Sequence, residues 1–88
     1  MTAVLDPSPL RTLTPPALSD REREVLRAWV LADSKNGVGK RLYISESTVN
    51  THITRIRAKY AAVGRPAPSK ASLLARALQD GIVDISEL

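Results

Sequence analysis

The strongest hydrophobic pattern in the chain lies between Ile44 and Tyr60. Its apolar residues recur at spacings of four, three and four positions: Val49, Ile53, Ile56 and Tyr60. That spacing puts all of them on one stripe of an α-helix, so we expect a helix with one buried side. Ser45 precedes the pattern and is a typical capping residue, so this helix is predicted at about 45–60.

A first helix is predicted from Ser19 to about Ala32. Ser19 and Glu22 have the spacing of a capping box, in which each side chain accepts the backbone N–H of the other residue. The apolar residues of this segment are predicted to be buried: Val25, Leu26, Trp29 and Val30. Trp29 is the only tryptophan, and we interpret its large ring as a core anchor.

Two shorter helices complete the pattern. The segment from Lys35 to Arg41 is predicted to be helical, but Gly37 and Gly39 each cost about 1 kcal/mol relative to Ala. We therefore expect this helix to be frayed or partly irregular. Ser69 is predicted to cap a last helix, which ends near Gly81. Because no strand alternation of useful length occurs, the predicted fold is all-α, with four short helices.

Proline content divides the chain into two regions. Residues 1–17 hold four of the six prolines and are predicted to form an extended linker or tail. Residues 18–88 are predicted to form the folded domain. A chain of 88 residues is long enough for one small domain with a modest core.

Positive charge is concentrated in the middle of the chain. From Lys35 to Arg76 there are nine basic residues against one acid, Glu46, which leaves +8 in a chain whose formal net charge is +4. A basic centre between mildly acidic ends is typical of a surface that binds a polyanion.

Several classes of function have no support in the composition. The chain has no cysteine and one histidine, which excludes disulfides, Cys-based zinc sites and multi-His metal sites. It also lacks a nucleophile constellation and a phosphate-cradling glycine loop, so we expect neither an enzyme nor a cofactor. No run of about 20 apolar residues or signal peptide is present, so we expect no membrane contact and a cytoplasmic location.

The polar side of the 45–60 helix carries the candidate chemistry. The face opposite the buried stripe, together with its two edges, holds hydroxyl, amide and basic groups: Ser47, Thr48, Asn50, Thr51, His52, Thr54, Arg55, Arg57 and Lys59. Hydroxyls and cations hold phosphates, while Asn and Arg read base edges, so this face suits a DNA groove. The alternative is an ordinary solvated helix face without a ligand.

Two motifs in the chain occur together. They are Leu18-Ser19-x-x-Glu22-x-Glu24-Val25-Leu26 and Leu42-Tyr43-Ile44-Ser45-x-x-Thr48-Val49-x-x-His52-Ile53-x-x-Ile56-x-x-Lys59. The combination closely resembles the LuxR/NarL/GerE-type helix-turn-helix DNA-binding domain. The resemblance implies a LuxR-type tetrahelical bundle that binds double-stranded DNA sequence-specifically, with the 45–60 helix in the major groove. It further implies the output domain of a bacterial two-component response regulator, with residues 1–17 as the linker from a missing receiver domain.

The same resemblance implies roles for individual residues. Base contacts are implied at Asn50, Thr51 and Thr54. Phosphate contacts are implied at Thr48, His52, Arg55, Lys59 and Lys35, and Arg57 is a candidate for either role. The helix at about 69–80 is implied to make a homodimer contact on DNA, through Leu73, Leu74, Arg76 and Ala77. Purely structural roles stay open for Thr48, for His52 and for the leucines.

Two departures from the family pattern leave alternatives open. Gly37-Val38-Gly39 stands where the family usually has Glu-Ile-Ala, and the segment 61–68 is longer than usual, which affects the register of the last helix. One alternative is a protein-interaction helix-turn-helix module that docks to RNA polymerase, a sigma factor or a receiver domain. Another is a sigma-factor-like promoter-reading region, whose first helix can carry a similar Arg-Glu-Arg-Glu-Val-Leu run.

Overall fold

The computed structural model describes residues 13–88. This part of the chain forms α1 (Asp20–Leu31), α2 (Lys35–Leu42), α3 (Glu46–Ala62) and α4 (Lys70–Gln79), followed by a 3-10 turn at Ile85–Glu87. No strand occurs between residues 13 and 88, so the predicted all-α fold with four short helices is confirmed. None of these helices is both long enough and apolar enough to cross a membrane.

Each of the four helices begins directly after a serine. The Oγ atom of this serine accepts the backbone N–H of the third residue along, at Ser19, Ser34, Ser45 and Ser69. Such a cap is worth about 1 kcal/mol, because the first N–H groups of a helix have no partner within it. Ser19 and Glu22 also form the predicted capping box. The helix starts inferred from the sequence are therefore confirmed.

The core forms around α1, which packs against the other three helices, while α2 also packs against α3. Val25 and Leu26 of α1 are fully buried against residues from every other helix: Val38, Val49, Ile53, Ile56, Tyr60, Leu73 and Ala77. Burial of one large aliphatic side chain contributes about 1.5–3 kcal/mol, so the apolar stripe of α3 is strongly held inward. That orientation decides which side of α3 faces solvent.

The glycines of α2 do not interrupt it, contrary to expectation. The segment Lys35–Leu42 is one continuous helix. A Cβ atom built on Gly39 would lie 2.6 Å from the carbonyl oxygen of Ile44, whereas one on Gly37 would meet only Ser34 Oγ at 3.5 Å. Gly39 therefore allows the chain after α2 to return close to the helix. The space needed for this close approach explains why glycine, a poor helix former, stands at position 39.

Part of the proline-rich region contacts the helical domain. The Thr14 carbonyl accepts a hydrogen bond from Arg65 at 2.8 Å, and the Ala17 carbonyl accepts one from Lys59 at 3.0 Å. Residues 13–17, which proline content assigned to the linker, thus pack on the domain. The rest of the predicted linker, residues 1–12, lies outside the described residues.

Candidate nucleic-acid interface

The connection between α2 and α3 is a tight turn of three residues. Tyr43 ends α2 in the left-handed conformation, with φ 59° and ψ 44°. The backbone N–H of Ile44 then donates to the Gly39 carbonyl at 2.9 Å, and Ser45 caps α3. Two helices joined by so short a turn and packed on one another form a helix-turn-helix unit.

The first half of α3 exposes the predicted polar face. Six of the candidate residues are exposed to solvent: Ser47, Thr48, Asn50, Thr51, Thr54 and Arg55. Periodicity predicts four of them opposite the buried stripe and the other two, Thr48 and Asn50, at the edges of that face. The structure brings all six together on one side of the helix. Their shared exposure makes them available to a ligand that lies along α3.

The polar groups of this face differ in how far the protein already satisfies them. Thr51 Oγ1 donates to the Ser47 carbonyl at 3.2 Å, and the hydroxyls of Thr48 and Ser45 lie 2.9 Å apart. Within residues 13–88, the side chains of Asn50, Thr54 and Arg55 have no hydrogen-bond partner. Among residues 13–88, therefore, no other group competes with a ligand for these three side chains.

His52 and Arg57 lie at the edges of the exposed face and are half-buried. The Nδ1 atom of His52 and the Nε atom of Arg57 are buried without a hydrogen-bond partner among the described residues. The sequence pattern had placed both residues at these edges.

Lys59 is placed differently from the other predicted phosphate-binding residues. Its Nζ atom lies 2.6 Å from Glu22 Oε1 and 3.0 Å from the Ala17 carbonyl oxygen. Glu22 is only 5% exposed. Burial alone would raise the pKa of Glu22, but the hydrogen bonds from Lys59 and from the Ser19 backbone outweigh burial and lower it. The geometry favours a structural role for Lys59 over the predicted phosphate contact.

A family profile matches the segment that holds this unit. Described as "GerE: Bacterial regulatory proteins, luxR family", it covers residues 16–67, which include α1, α2 and α3. The chain belongs to the LuxR family. The match confirms the resemblance drawn from the two motifs and makes the protein a DNA-binding transcription regulator by family. Comparisons with curated proteins and with solved structures give no match.

The basic centre of this LuxR-family domain is less exposed than its charge count indicates. Arg65 is 5% exposed, and its guanidinium bonds Asp80 Oδ1 at 2.7 Å and Gln79 Oε1 at 3.0 Å. The Tyr60 hydroxyl donates to Asp80 Oδ2 at 2.7 Å. Burial and the Asp80 carboxylate raise the pKa of Tyr60. Sequence reasoning missed this network because residues 60, 65 and 80 share no helical spacing.

Lys35, the remaining predicted contact, lies at the first position of α2. Its Nζ atom is 5.8 Å from the centre of the Trp29 ring, and Lys70 Nζ is 4.3 Å from the same ring. Lys70 also donates to the Ala32 carbonyl at the end of α1. The predicted core anchor Trp29 is thus half-buried and covered by two lysines. Lys40 and Arg41, which sequence reasoning left unassigned, are exposed in the last turn of α2.

Proposed function

We propose that this LuxR-family domain binds double-stranded DNA sequence-specifically, with α3 in the major groove. The observation that carries the proposal is the exposed side of α3, where Asn50, Thr54 and Arg55 have no partner within residues 13–88. A groove about 12 Å wide accepts one α-helix, and the buried stripe turns these side chains toward it.

Within this proposal, the polar residues divide by chemistry. Asn50, Thr51 and Thr54 contact base edges, because amides and hydroxyls discriminate between donor and acceptor patterns. Phosphates are held by Lys35 at the start of α2 and by four residues of α3: Ser47, Thr48, His52 and Arg55. Arg57 serves either role from the edge of the helix. Lys59 stays with Glu22, so we leave it out of the set.

We further propose the regulatory context that the motifs implied: the output domain of a two-component response regulator that binds DNA as a homodimer. In α4, Leu73 and Ala77 are fully buried in the domain's own core, while Leu74 and Arg76 are half-exposed. A dimer contact through α4 therefore uses its outer side, including Leu74, rather than all four predicted residues.

The first test is binding of the 88-residue chain to random duplex DNA, measured by fluorescence anisotropy across about 50 to 200 mM salt. We expect tight binding at low salt and a steep negative log–log slope. Absence of binding at the lowest salt, for a correctly folded chain, would contradict the proposal and favour the protein-interaction module.

The second test separates the two kinds of contact. After a cognate site is selected, Asn50→Ala should relax discrimination at one base pair, an effect of about 1–3 kcal/mol. Arg55→Ala should weaken binding to all sequences and reduce the salt slope by about one. Arg23→Ala is the charge-matched control, since Arg23 is exposed on α1, outside the helix-turn-helix unit. If Arg55→Ala and Arg23→Ala behave alike, the assignment of α3 fails.

A further inference from the structure

Tyr43, in the turn between α2 and α3, combines two unfavourable local properties. It is the one non-glycine residue with positive φ in the described part of the chain. Its side chain is also 94% exposed, more than any other large hydrophobic residue between 13 and 88. Tyr43 therefore contributes almost nothing to the core while occupying a strained backbone position.

The local environment favours a different residue at this position. Helices that end in the left-handed conformation usually have Gly or Asn there, because a bulky side chain crowds its own backbone. The backbone of Tyr43 ends α2 by donating to the Gly39 carbonyl, a bond that glycine or asparagine would make equally well. The Tyr43 hydroxyl makes no hydrogen bond with any residue from 13 to 88, so the side chain itself gains nothing there that offsets the strain. A residue that breaks a local rule without such a gain is a candidate for function.

The position of Tyr43 indicates what the function is. In a helix-turn-helix unit on DNA, the first helix crosses the phosphate backbone and the start of the second enters the major groove. Tyr43 lies between them, three residues before the first residue of α3 and two residues after the second of the exposed cations Lys40 and Arg41. Phosphates line the edge of the groove at this point, and a tyrosine hydroxyl is a common donor to phosphate oxygens.

We propose that the Tyr43 hydroxyl donates a hydrogen bond to a DNA phosphate at the edge of the groove that receives α3. This inference rests on the proposed function and adds to it a phosphate contact made by an uncharged side chain. With this left-handed backbone the Tyr43 side chain lies outside the core and stays available to a phosphate.

Two substitutions test the hydroxyl separately from the turn. Tyr43→Phe removes only the hydroxyl, and we expect affinity for random duplex DNA to fall about 10- to 150-fold, the range for one hydrogen bond to a charged group. Tyr43→Gly removes the whole side chain at a position that suits glycine. It should weaken binding at least as much while leaving the midpoint of denaturant unfolding unchanged or higher.

The salt dependence distinguishes this contact from an ionic one. Because a neutral hydroxyl releases no counterion, the log–log slope should stay the same in Tyr43→Phe, whereas Arg55→Ala should reduce it by about one. Unchanged affinity in Tyr43→Phe, alongside weaker binding by Arg55→Ala, overturns the inference and leaves the proposed function standing. If the folded wild-type chain binds no duplex DNA, both fail together.

Discussion

The two halves of α3 differ in what their polar groups are bonded to. From Ser47 to Arg55, the outer side chains are exposed, and the key amide and guanidinium groups have no partner within residues 13–88. Toward the end of the helix, Lys59 is bonded to Glu22 of α1, and Tyr60 is bonded to Asp80, which follows α4. The first half of α3 thus exposes polar side chains to a ligand, whereas its last turn is bonded to the rest of the domain.

This difference separates binding from stability along a single helix. Substitutions near the start of α3 should change affinity for DNA with little effect on folding. Those near its end should lower the free energy of unfolding, with an effect on DNA binding only through the folded population.

The largest effect is expected for Asp80→Ala. The change leaves the guanidinium of Arg65, 5% exposed, without its carboxylate, and it removes the acceptor of the Tyr60 hydroxyl. Loss of one partner from a buried ion pair costs about 3–5 kcal/mol, and we expect the free energy of unfolding to fall by that amount in denaturant titration. Glu24→Ala is the control, because its pair with Arg21 is exposed and worth about 0.2–1 kcal/mol. Equal losses in the two variants would contradict a buried ion pair at Arg65.

Next in size is a loss of stability at high pH that depends on Tyr60. Its pKa is raised in the folded protein by burial and by Asp80, so the folded state keeps the proton after the unfolded chain releases it near pH 10. The contribution of Tyr60 to the free energy of unfolding is therefore complete below about pH 10. Above that pH it falls by at most about 1.4 kcal/mol per pH unit. Denaturant unfolding at several pH values from 9 to 12 measures the slope. Tyr60→Phe should remove this part of the slope, and an identical slope in both proteins would refute the assignment.

A smaller and more selective effect is expected from two basic residues four positions apart on α3. Lys59→Ala leaves buried Glu22 without its cation and should lower the free energy of unfolding by about 1–3 kcal/mol. Its DNA affinity and salt slope should remain those of the wild type when the protein is folded. Arg55→Ala should show the reverse, with unchanged stability and weaker binding. A reduced salt slope in Lys59→Ala would instead show that Lys59 contacts a phosphate, as the family resemblance implied.

The smallest effect concerns α2, which supports the start of α3. Gly37→Ala should raise the free energy of unfolding by about 0.5–1 kcal/mol through helix propensity, because its new Cβ has room beside Ser34. Gly39→Ala meets the Ile44 carbonyl and should be less stable than Gly37→Ala. Thermal or denaturant unfolding of the two variants compares them directly. Greater stability in Gly39→Ala would show that the turn shifts at little cost.

Sequence reasoning identified the elements that depend on local spacing. The stripe from Val49 to Tyr60, the serine caps and the outer face of α3 follow from helical periodicity and from the needs of helix ends. The ion pairs could not be predicted, because Lys59 and Arg65 are 37 and 15 residues from their carboxylates and no local pattern links them. The role of Gly39 also depends on tertiary geometry, since it is set by the return of Ile44 toward α2.

Trp29 gives the molecule a built-in optical probe. The only tryptophan of the chain stands where the end of α1, the first residue of α2 and the first residue of α4 meet, with ammonium groups 5.8 and 4.3 Å from its ring centre. Its emission should respond to separation of these three helix ends without any attached dye. Excited selectively, this one indole should report unfolding and, at the proposed phosphate contact of Lys35, the binding of DNA in the same cuvette.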